Sequence, residues 1–126
     1  PGADFSDKSL QTWLRKVIEE ALRRNAKIIL PPRLYMLSMQ HNLPYKRVKI
    51  NSSSGRWGSC SARGDINLSY YLVLLPGHLI DYVLLHELAH TREMNHGERF
   101  WALLDRLTGG RAQALREELK QCRTGI

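Results

Sequence analysis

Apolar positions in the first third of the chain recur with helical spacing. Between residues 9 and 25 they predict an amphipathic helix whose apolar stripe consists of Leu10, Trp13, Leu14, Val17, Ile18, Ala21 and Leu22. Pro31 and Pro32 interrupt the pattern. Because proline suits the first turn of a helix, a second helix is predicted from Pro32 to about Asn42. The chain should therefore begin with two separate helices.

The middle of the chain predicts a small sheet. Apolar and polar positions indicate strands over about residues 47–51, 56–61 and 66–69. Gly64 gives the turn between the last two strands the positive φ that such hairpins need. We therefore expect the three strands to follow one another as an antiparallel meander.

Helical spacing returns after Pro76 and continues almost to the end of the chain. It predicts helices over about residues 77–93, 98–107 and 111–121. Phe100, Trp101 and Leu104 on the second of these helices are interpreted as core residues rather than as part of a substrate site. The order of elements predicts an α+β fold, in which helices pack on one face of a small three-stranded antiparallel sheet.

Length and composition narrow the class of protein. The 126 residues fit one domain, predicted over residues 1–126, and no apolar run approaches the roughly 20 residues of a bilayer span, so no membrane partner is expected. Asp4 and Asp7 stand where a signal peptide would be basic. Cys60 and Cys122 are expected to be free thiols in a reducing, cytoplasmic location. The chain lacks a starting Met, which fits a processed product or the C-terminal part of a longer protein.

The formal net charge is +7, and the basic residues are dispersed along the chain. Solvated faces of the predicted helices account for most of them. A groove that favours an acidic or nucleic-acid-bound partner is the alternative, because Lys and Arg neutralise phosphates.

The segment His86-Glu87-Leu88-Ala89-His90 carries the candidate chemistry. Two histidines four residues apart on a helix point the same way, so both can reach one Zn²⁺. Glu87 projects beside them, where it can accept a proton from the metal's water. The pattern predicts a catalytic zinc site. His41 and His78 lack partners at this spacing and are interpreted as ordinary polar residues.

The third ligand must come from beyond this segment. His96 follows His90 by six residues, and on an uninterrupted helix it would point about 120° away from the zinc-facing side. We therefore predict that the helix ends between about Arg92 and Asn95 and that Asn95 adopts positive φ. A new helix should begin near Gly97. The competing third ligands are carboxylates of the following helices, Glu98, Glu117 and Glu118.

A longer series of motifs resembles a known family. In chain order these are Arg56-Trp57-Gly58-Ser59-Cys60, Ile66-Asn67-Leu68, Pro76, Ile80-Asp81-Tyr82-Val83, the segment from His86 to His90, Asn95-His96 and Phe100-Trp101. Over about residues 47–104 the series resembles the YgjP-like metallopeptidase family, which is related to the SprT-like zinc proteases. The resemblance implies a zincin-like core of sheet and active-site helix, a zinc-dependent peptidase, and the histidines at 86, 90 and 96 as ligands.

Two departures from the family pattern concern the cap after the third histidine and the region before the first residue. The family usually has Ser after that histidine, where this chain has Gly97, which is an acceptable helix cap. Family members often carry another segment before the position of Pro1, and substrate selection could reside there.

Residues near the zinc motif have two interpretations. Arg56, Trp57 and Ser59 either line the substrate cleft, with Arg56 near a substrate carboxylate or oxyanion, or belong to the core. In the second case Arg56 pairs with a carboxylate such as Asp81. Two adjacent tyrosines are candidate donors to an oxyanion, Tyr70 and Tyr71.

Three functions fit these patterns. The leading one is hydrolysis of a peptide or protein substrate that lies along an exposed strand edge, with Glu87 as general base beside a zinc-activated water. The alternative is a nucleic-acid-associated zinc-binding module with little or conditional protease activity, suggested by the net charge and the SprT-like kinship. A structural zinc domain would instead need four protein ligands. The oligomeric state is left open.

Overall fold

The computed structural model describes residues 8–122, so the outermost residues of the predicted domain 1–126 lie outside the described range. Within that range the α+β class is confirmed. The elements in chain order are α1 (Lys8–His41), β1 (Arg47–Asn51), β2 (Gly58–Cys60), β3 (Asp65–Ser69), a 3-10 turn (Tyr70–Leu74), α2 (Gly77–Ala89), α3 (Glu98–Leu107) and α4 (Ala112–Gln121). None of the helices among residues 8–122 combines the length and apolar character that a bilayer crossing requires.

The first helix is continuous, which corrects the prediction of two helices separated at the prolines. Pro31 and Pro32 lie inside α1. Each removes a backbone N–H from the helical ladder, and an internal proline costs about 3 kcal/mol. Leu30 and Leu34 are fully buried on either side of them, and burial of each side chain contributes about 1.5–3 kcal/mol. Packing against the domain therefore outweighs the local preference of proline.

The apolar stripe of residues 10–22 is largely exposed rather than packed on the core. Trp13, Val17 and Ile18 are 59%, 46% and 58% exposed. The helix buries a different set of apolar positions in its C-terminal half, namely Ala26, Leu30, Leu34 and Leu37. Periodicity predicts that a helix has an apolar face, but it does not predict which face the rest of the domain covers.

The sheet is mixed, which corrects the predicted antiparallel meander. Its order is β1-β3-β2, with β3 parallel to β1 and antiparallel to β2. The hairpin between β2 and β3 forms as predicted, and Gly64 has a φ of 90°. The prediction was wrong about the neighbour of β1, which pairs with β3 and not with β2. Because β3 carries the buried Ile66 and Leu68, it takes the central position, and residues 52–57 carry the chain to its far side. Alternation assigns the faces of a strand, not its partner.

Contacts between α1 and α2 orient the helix that carries His86 and Glu87. The Arg33 Nε of α1 donates to the Asp81 carboxylate of α2 over 2.5 Å, and the same guanidinium donates to the Gly77 carbonyl. At the end of α1, Asn42 has a φ of 53° and the Leu43 N–H donates to a carbonyl of the last turn, which directs the chain into β1.

Candidate active site

Most of the helix α2 is buried, including polar residues at its C-terminal end. Leu84 and Leu88 are fully buried, and Glu87 and His90 are only 4% and 8% exposed. A helix held on most of its circumference has little freedom to rotate or shift. The directions of its site residues are therefore set by the core packing.

The side chains of His86, His90 and His96 lie together. One nitrogen from each can be chosen so that all three lie within 4.8 Å of one another, and among residues 8–122 this is the one such group of histidine, cysteine or carboxylate side chains. The Nε2 atoms of His90 and His96 are 3.0 Å apart. Nitrogens that share a tetrahedral zinc ion at about 2.0–2.1 Å are roughly 3.3 Å apart. The donor set therefore fits a metal ion, with the His90–His96 pair close to this spacing and the three nitrogens within 4.8 Å of one another.

The outer nitrogen of His90 is already bound to the backbone. The Nδ1 atom lies 3.1 Å from the Glu93 carbonyl, so this nitrogen carries the proton and donates it, and Nε2 keeps its lone pair for the cluster. Burial lowers the pKa of His90, and the neighbouring His86 lowers it further. Burial, followed by His86, also lowers the pKa of His96. Both shifts favour the neutral imidazole, which is the form that binds a metal.

A break between α2 and α3 brings His96 back to the cluster. The helix α2 ends at Ala89, earlier than the predicted end between residues 92 and 95, and α3 begins at Glu98. The intervening segment returns the His96 ring to 5.4 Å from the His86 ring. The predicted interruption before His96 is therefore present, and it is longer than expected.

The mechanism of this break differs from the prediction. Asn95 does not have positive φ, and within the described residues Asn42 is the non-glycine residue that does. The end of α2 tightens instead into turns in which the Thr91 N–H donates to the Leu88 carbonyl. A 3-10-type turn of this kind ends a helix without a left-handed residue.

The ring of Phe100 supports all three imidazoles. It is fully buried, stacks on His90 with a centroid distance of 4.4 Å, and contacts His86 and His96 at 5.0 and 4.8 Å. Its interpretation as a core residue is therefore correct. The neighbouring Trp101 is partly buried: it packs against the core, as predicted, and it also lines the cleft.

The cluster opens into a cleft of about 1000 Å³. Its walls are formed by α2, the loop before β2, and the helices α3 and α4. Beside His86, Glu87 and His96, the cleft is lined by Ser54, Gly55, Arg56, Trp57, Gly58, Tyr82, Val83, Trp101, Arg116, Leu119 and Lys120. A cleft of this size is large enough for several residues of a peptide.

The two interpretations of the β2 region each hold for some of its residues. Arg56 and Trp57 line the cleft, whereas Ser59 does not. Trp57 also packs against the core. Asp81, the alternative partner of Arg56, is bound to Arg33.

Tyrosines of the 3-10 turn lie elsewhere, which corrects their prediction as oxyanion donors. Tyr70 and Tyr71 are buried core residues, and neither lines the cleft. Tyr82 lines the cleft in their place. The sequence contains a signal for this position of Tyr82, because Tyr82 precedes His86 by four residues and therefore shares a helix face with it. Arg116 offered no comparable signal, since only the packing of α4 brings it to the cleft.

The Glu87 carboxylate is confined between the histidine cluster and the sheet. One of its oxygens lies 3.1 Å from the His86 Nδ1 atom. On the other side, a β-carbon built on Gly58 of β2 would lie 3.2 Å from the Glu87 Cγ atom. Glycine at position 58 therefore leaves the space that this carboxylate occupies.

The three carboxylates considered as competing ligands have other surroundings. Glu118 lies 2.6 Å from the His78 Nε2 atom, which gives that histidine a partner, and Glu117 lies 3.4 Å from the Lys120 Nζ atom. Glu98 is exposed in the first turn of α3. None of them belongs to the histidine group.

Comparisons with known proteins agree with this geometry. A family model described as the YgjP-like metallopeptidase domain matches residues 2–122 of the chain. Among solved structures, the chain is similar to the crystal structure of the metallopeptidase zymogen abylysin of Pyrococcus abyssi, with a TM-score of 0.61 and 22% sequence identity over 70% of this chain and 89% of that chain. At this identity the similarity concerns the fold. No curated protein matches the chain.

Proposed function

Because the chain belongs to the YgjP-like metallopeptidase family, we propose that it is a zinc-dependent peptidase. His86, His90 and His96 would hold the metal, and Glu87 would be the general base. The observation that carries this proposal is the convergence of three imidazoles beside one buried carboxylate. Three nitrogen ligands leave a fourth position open for water or substrate, as catalytic zinc sites do, whereas structural sites use four protein ligands.

The chain's own groups have distinct tasks in this mechanism. Bound zinc would supply Lewis acidity, which polarises the scissile carbonyl and makes water easier to deprotonate. Glu87 accepts the proton of the attacking water and returns it to the leaving amine. Its near-complete burial and the close approach of Gly58 hold the carboxylate at the cleft floor, so little reorganisation precedes proton transfer.

The edge of β2 is the proposed track for the substrate backbone. In the order β1-β3-β2, the outer side of β2 has no strand partner among residues 8–122. This strand begins at Gly58, which lines the cleft beside Glu87. An extended peptide added to this edge would hydrogen-bond through its main chain and pass the scissile bond over the carboxylate.

The test separates metal binding from proton transfer. Glu87→Gln should retain about one zinc per chain but lose peptide hydrolysis by roughly two orders of magnitude or more, because it removes the base and keeps the ligands. His96→Ala should lose zinc. His41→Ala is the matched control, because His41 lies outside the cluster, and it should change neither. Zinc content by mass spectrometry and cleavage of an unstructured protein are the two measurements. Loss of zinc in Glu87→Gln would overturn the assigned roles.

A nucleic-acid-associated module with conditional activity is the weaker proposal. Its support is the net charge of +7. A duplex DNA affinity that falls steeply with salt would favour it, because phosphate contacts release counterions.

A further inference from the structure

The cleft is unbalanced in charge. Arg56, Arg116 and Lys120 line it, whereas Glu87 is the one carboxylate among residues 8–122 that does so. Within residues 8–122, no carboxylate pairs with Arg56 or Arg116, and Lys120 is 3.4 Å from an exposed glutamate. Among the described residues Arg56 and Arg116 have no carboxylate partner, and the Glu87 carboxylate lies against His86 instead. The two guanidinium groups therefore point to a ligand that supplies negative charge.

The position of Arg116 relative to the histidine cluster follows from its contact with Trp101. Its Cζ atom lies 5.4 Å from the centre of the Trp101 ring, and that ring lies 6.2 Å from the His96 ring. The guanidinium is therefore within about 12 Å of His96, which is roughly the span of three extended residues. Burial raises the pKa of Tyr82 and the charge of Arg116 opposes this rise, so the guanidinium also acts on the α2 face of the cleft.

The surroundings of Arg116 favour a carboxylate over a neutral group. A guanidinium held against an aromatic ring keeps its planar donors oriented, and these donors match both oxygens of a carboxylate. Trp57, Trp101 and Leu119 contribute apolar surface to the same cleft. Charges attract more strongly beside such surface than in open water.

We propose that Arg116, assisted by Lys120 and Arg56, selects peptides that carry a carboxylate within about three residues of the scissile bond. This inference rests on the proposed peptidase function. The carboxylate belongs either to an Asp or Glu side chain or to a free C-terminus, and the two sources present the same pair of oxygens.

The experiment compares matched fluorogenic peptides with the zinc-loaded protein. One pair differs by Asp against Asn beside the scissile bond, and a second pair differs by a free acid against an amide at a nearby C-terminus. Wild type should prefer one of the acidic peptides by about tenfold in kcat/KM. Arg116→Gln should bring this ratio close to one, and Arg116→Glu should shift it towards a Lys peptide. Arg116→Lys keeps the positive charge and should retain part of the preference for the acidic peptide. This variant keeps the proposal testable if Arg116→Gln fails to fold.

Arg24→Gln is the matched control. It removes the same charge from α1, outside the cleft, and should leave the acid-to-amide ratio unchanged. The peptide pair for which wild type prefers the acidic member shows whether the carboxylate comes from a side chain or from a free C-terminus. Equal kcat/KM for both members of both pairs in wild type, or an undiminished preference in Arg116→Gln, would overturn the proposal.

A binding measurement keeps this inference separate from the peptidase function. Anisotropy of the labelled Asp, Asn, acid and amide peptides with zinc-loaded Glu87→Gln reports carboxylate selection without turnover. If wild type cleaves none of the peptides but Glu87→Gln prefers the acidic ones in an Arg116-dependent manner, peptidase function fails and the selection stands. Arg116-dependent binding of a single-stranded oligonucleotide, without any preference among the peptides, would assign the cations to nucleic acid and reject the proposal.

Discussion

Replacing Gly58 by alanine tests how the sheet positions the Glu87 carboxylate, the proposed general base. The added methyl group would lie 3.2 Å from the Asn67 carbonyl oxygen, 3.2 Å from the Glu87 Cγ atom and 3.3 Å from its Oε2 atom. All three distances are shorter than ordinary van der Waals contact. The Asn67 oxygen belongs to the backbone of β3, opposite β2. We therefore expect the Glu87 side chain to move, by a few tenths of an ångström.

The size of the effect follows from this displacement. A misplacement of about 1 Å in a catalytic group can cost roughly 100-fold in rate. A shift of about one-third to one-half of that distance should therefore lower kcat by roughly 4- to 10-fold. Overpacking of this kind also costs about 1–3 kcal/mol of the free energy of unfolding. Zinc content should be retained, because none of the three atoms nearest to the new methyl group belongs to a histidine.

The assay measures kcat, KM, zinc content and urea unfolding for Gly58→Ala. Gly55→Ala is the matched control in the same part of the chain, because a β-carbon there meets nothing within 4 Å, and its kcat should stay within about twofold of wild type. If Gly58→Ala kept the wild-type kcat although its stability fell, the strand would have absorbed the methyl group. The reasoning that β2 confines Glu87 would then be refuted.

Three further outcomes are expected. In metal-free protein, burial and then His86 lower the pKa of His90 from its ordinary 6.5. The unfolded chain therefore binds a proton at this histidine more readily than the folded chain does. The contribution of His90 to the free energy of unfolding in urea should be level above pH 6.5 and fall below it. His90→Asn should make that fall shallower, and an unchanged slope would contradict the assignment. Arg33→Leu breaks an ion pair with Asp81 whose side chains are 31% and 38% exposed, so thermal unfolding should reveal a loss of only about 1 kcal/mol. Asn42→Ala, at a φ of 53°, should cost about 1 kcal/mol in urea unfolding, whereas Asn42→Gly should cost none.

Much of the architecture was predictable because it depends on neighbours in the chain. Helical spacing predicts α3 over the same residues, Glu98–Leu107, that the structure assigns to it. Gly64 marks the hairpin, because a tight turn there needs positive φ. The facing pair His86 and His90 follows from the helical repeat alone, and so does the requirement for a break before His96. These inferences need no knowledge of distant contacts.

Other features depended on contacts between residues far apart in sequence. Pro31 remains inside a helix because buried leucines on both sides pack against the rest of the domain. The position of β3 beside β1 follows from competition for the centre of the sheet, which strand alternation does not encode.

The same distinction divides the candidate site. The sequence determined the residue types of the segment from His86 to His90 and the common helix face of its two histidines, because both are local properties. Only the tertiary structure decided that Gly58 closes on Glu87 and that Arg116, 26 positions beyond His90, shares the cleft with Tyr82. Such neighbours are selected by shape and burial across the whole core, and the energies that select them are sums over many contacts rather than properties of any one segment.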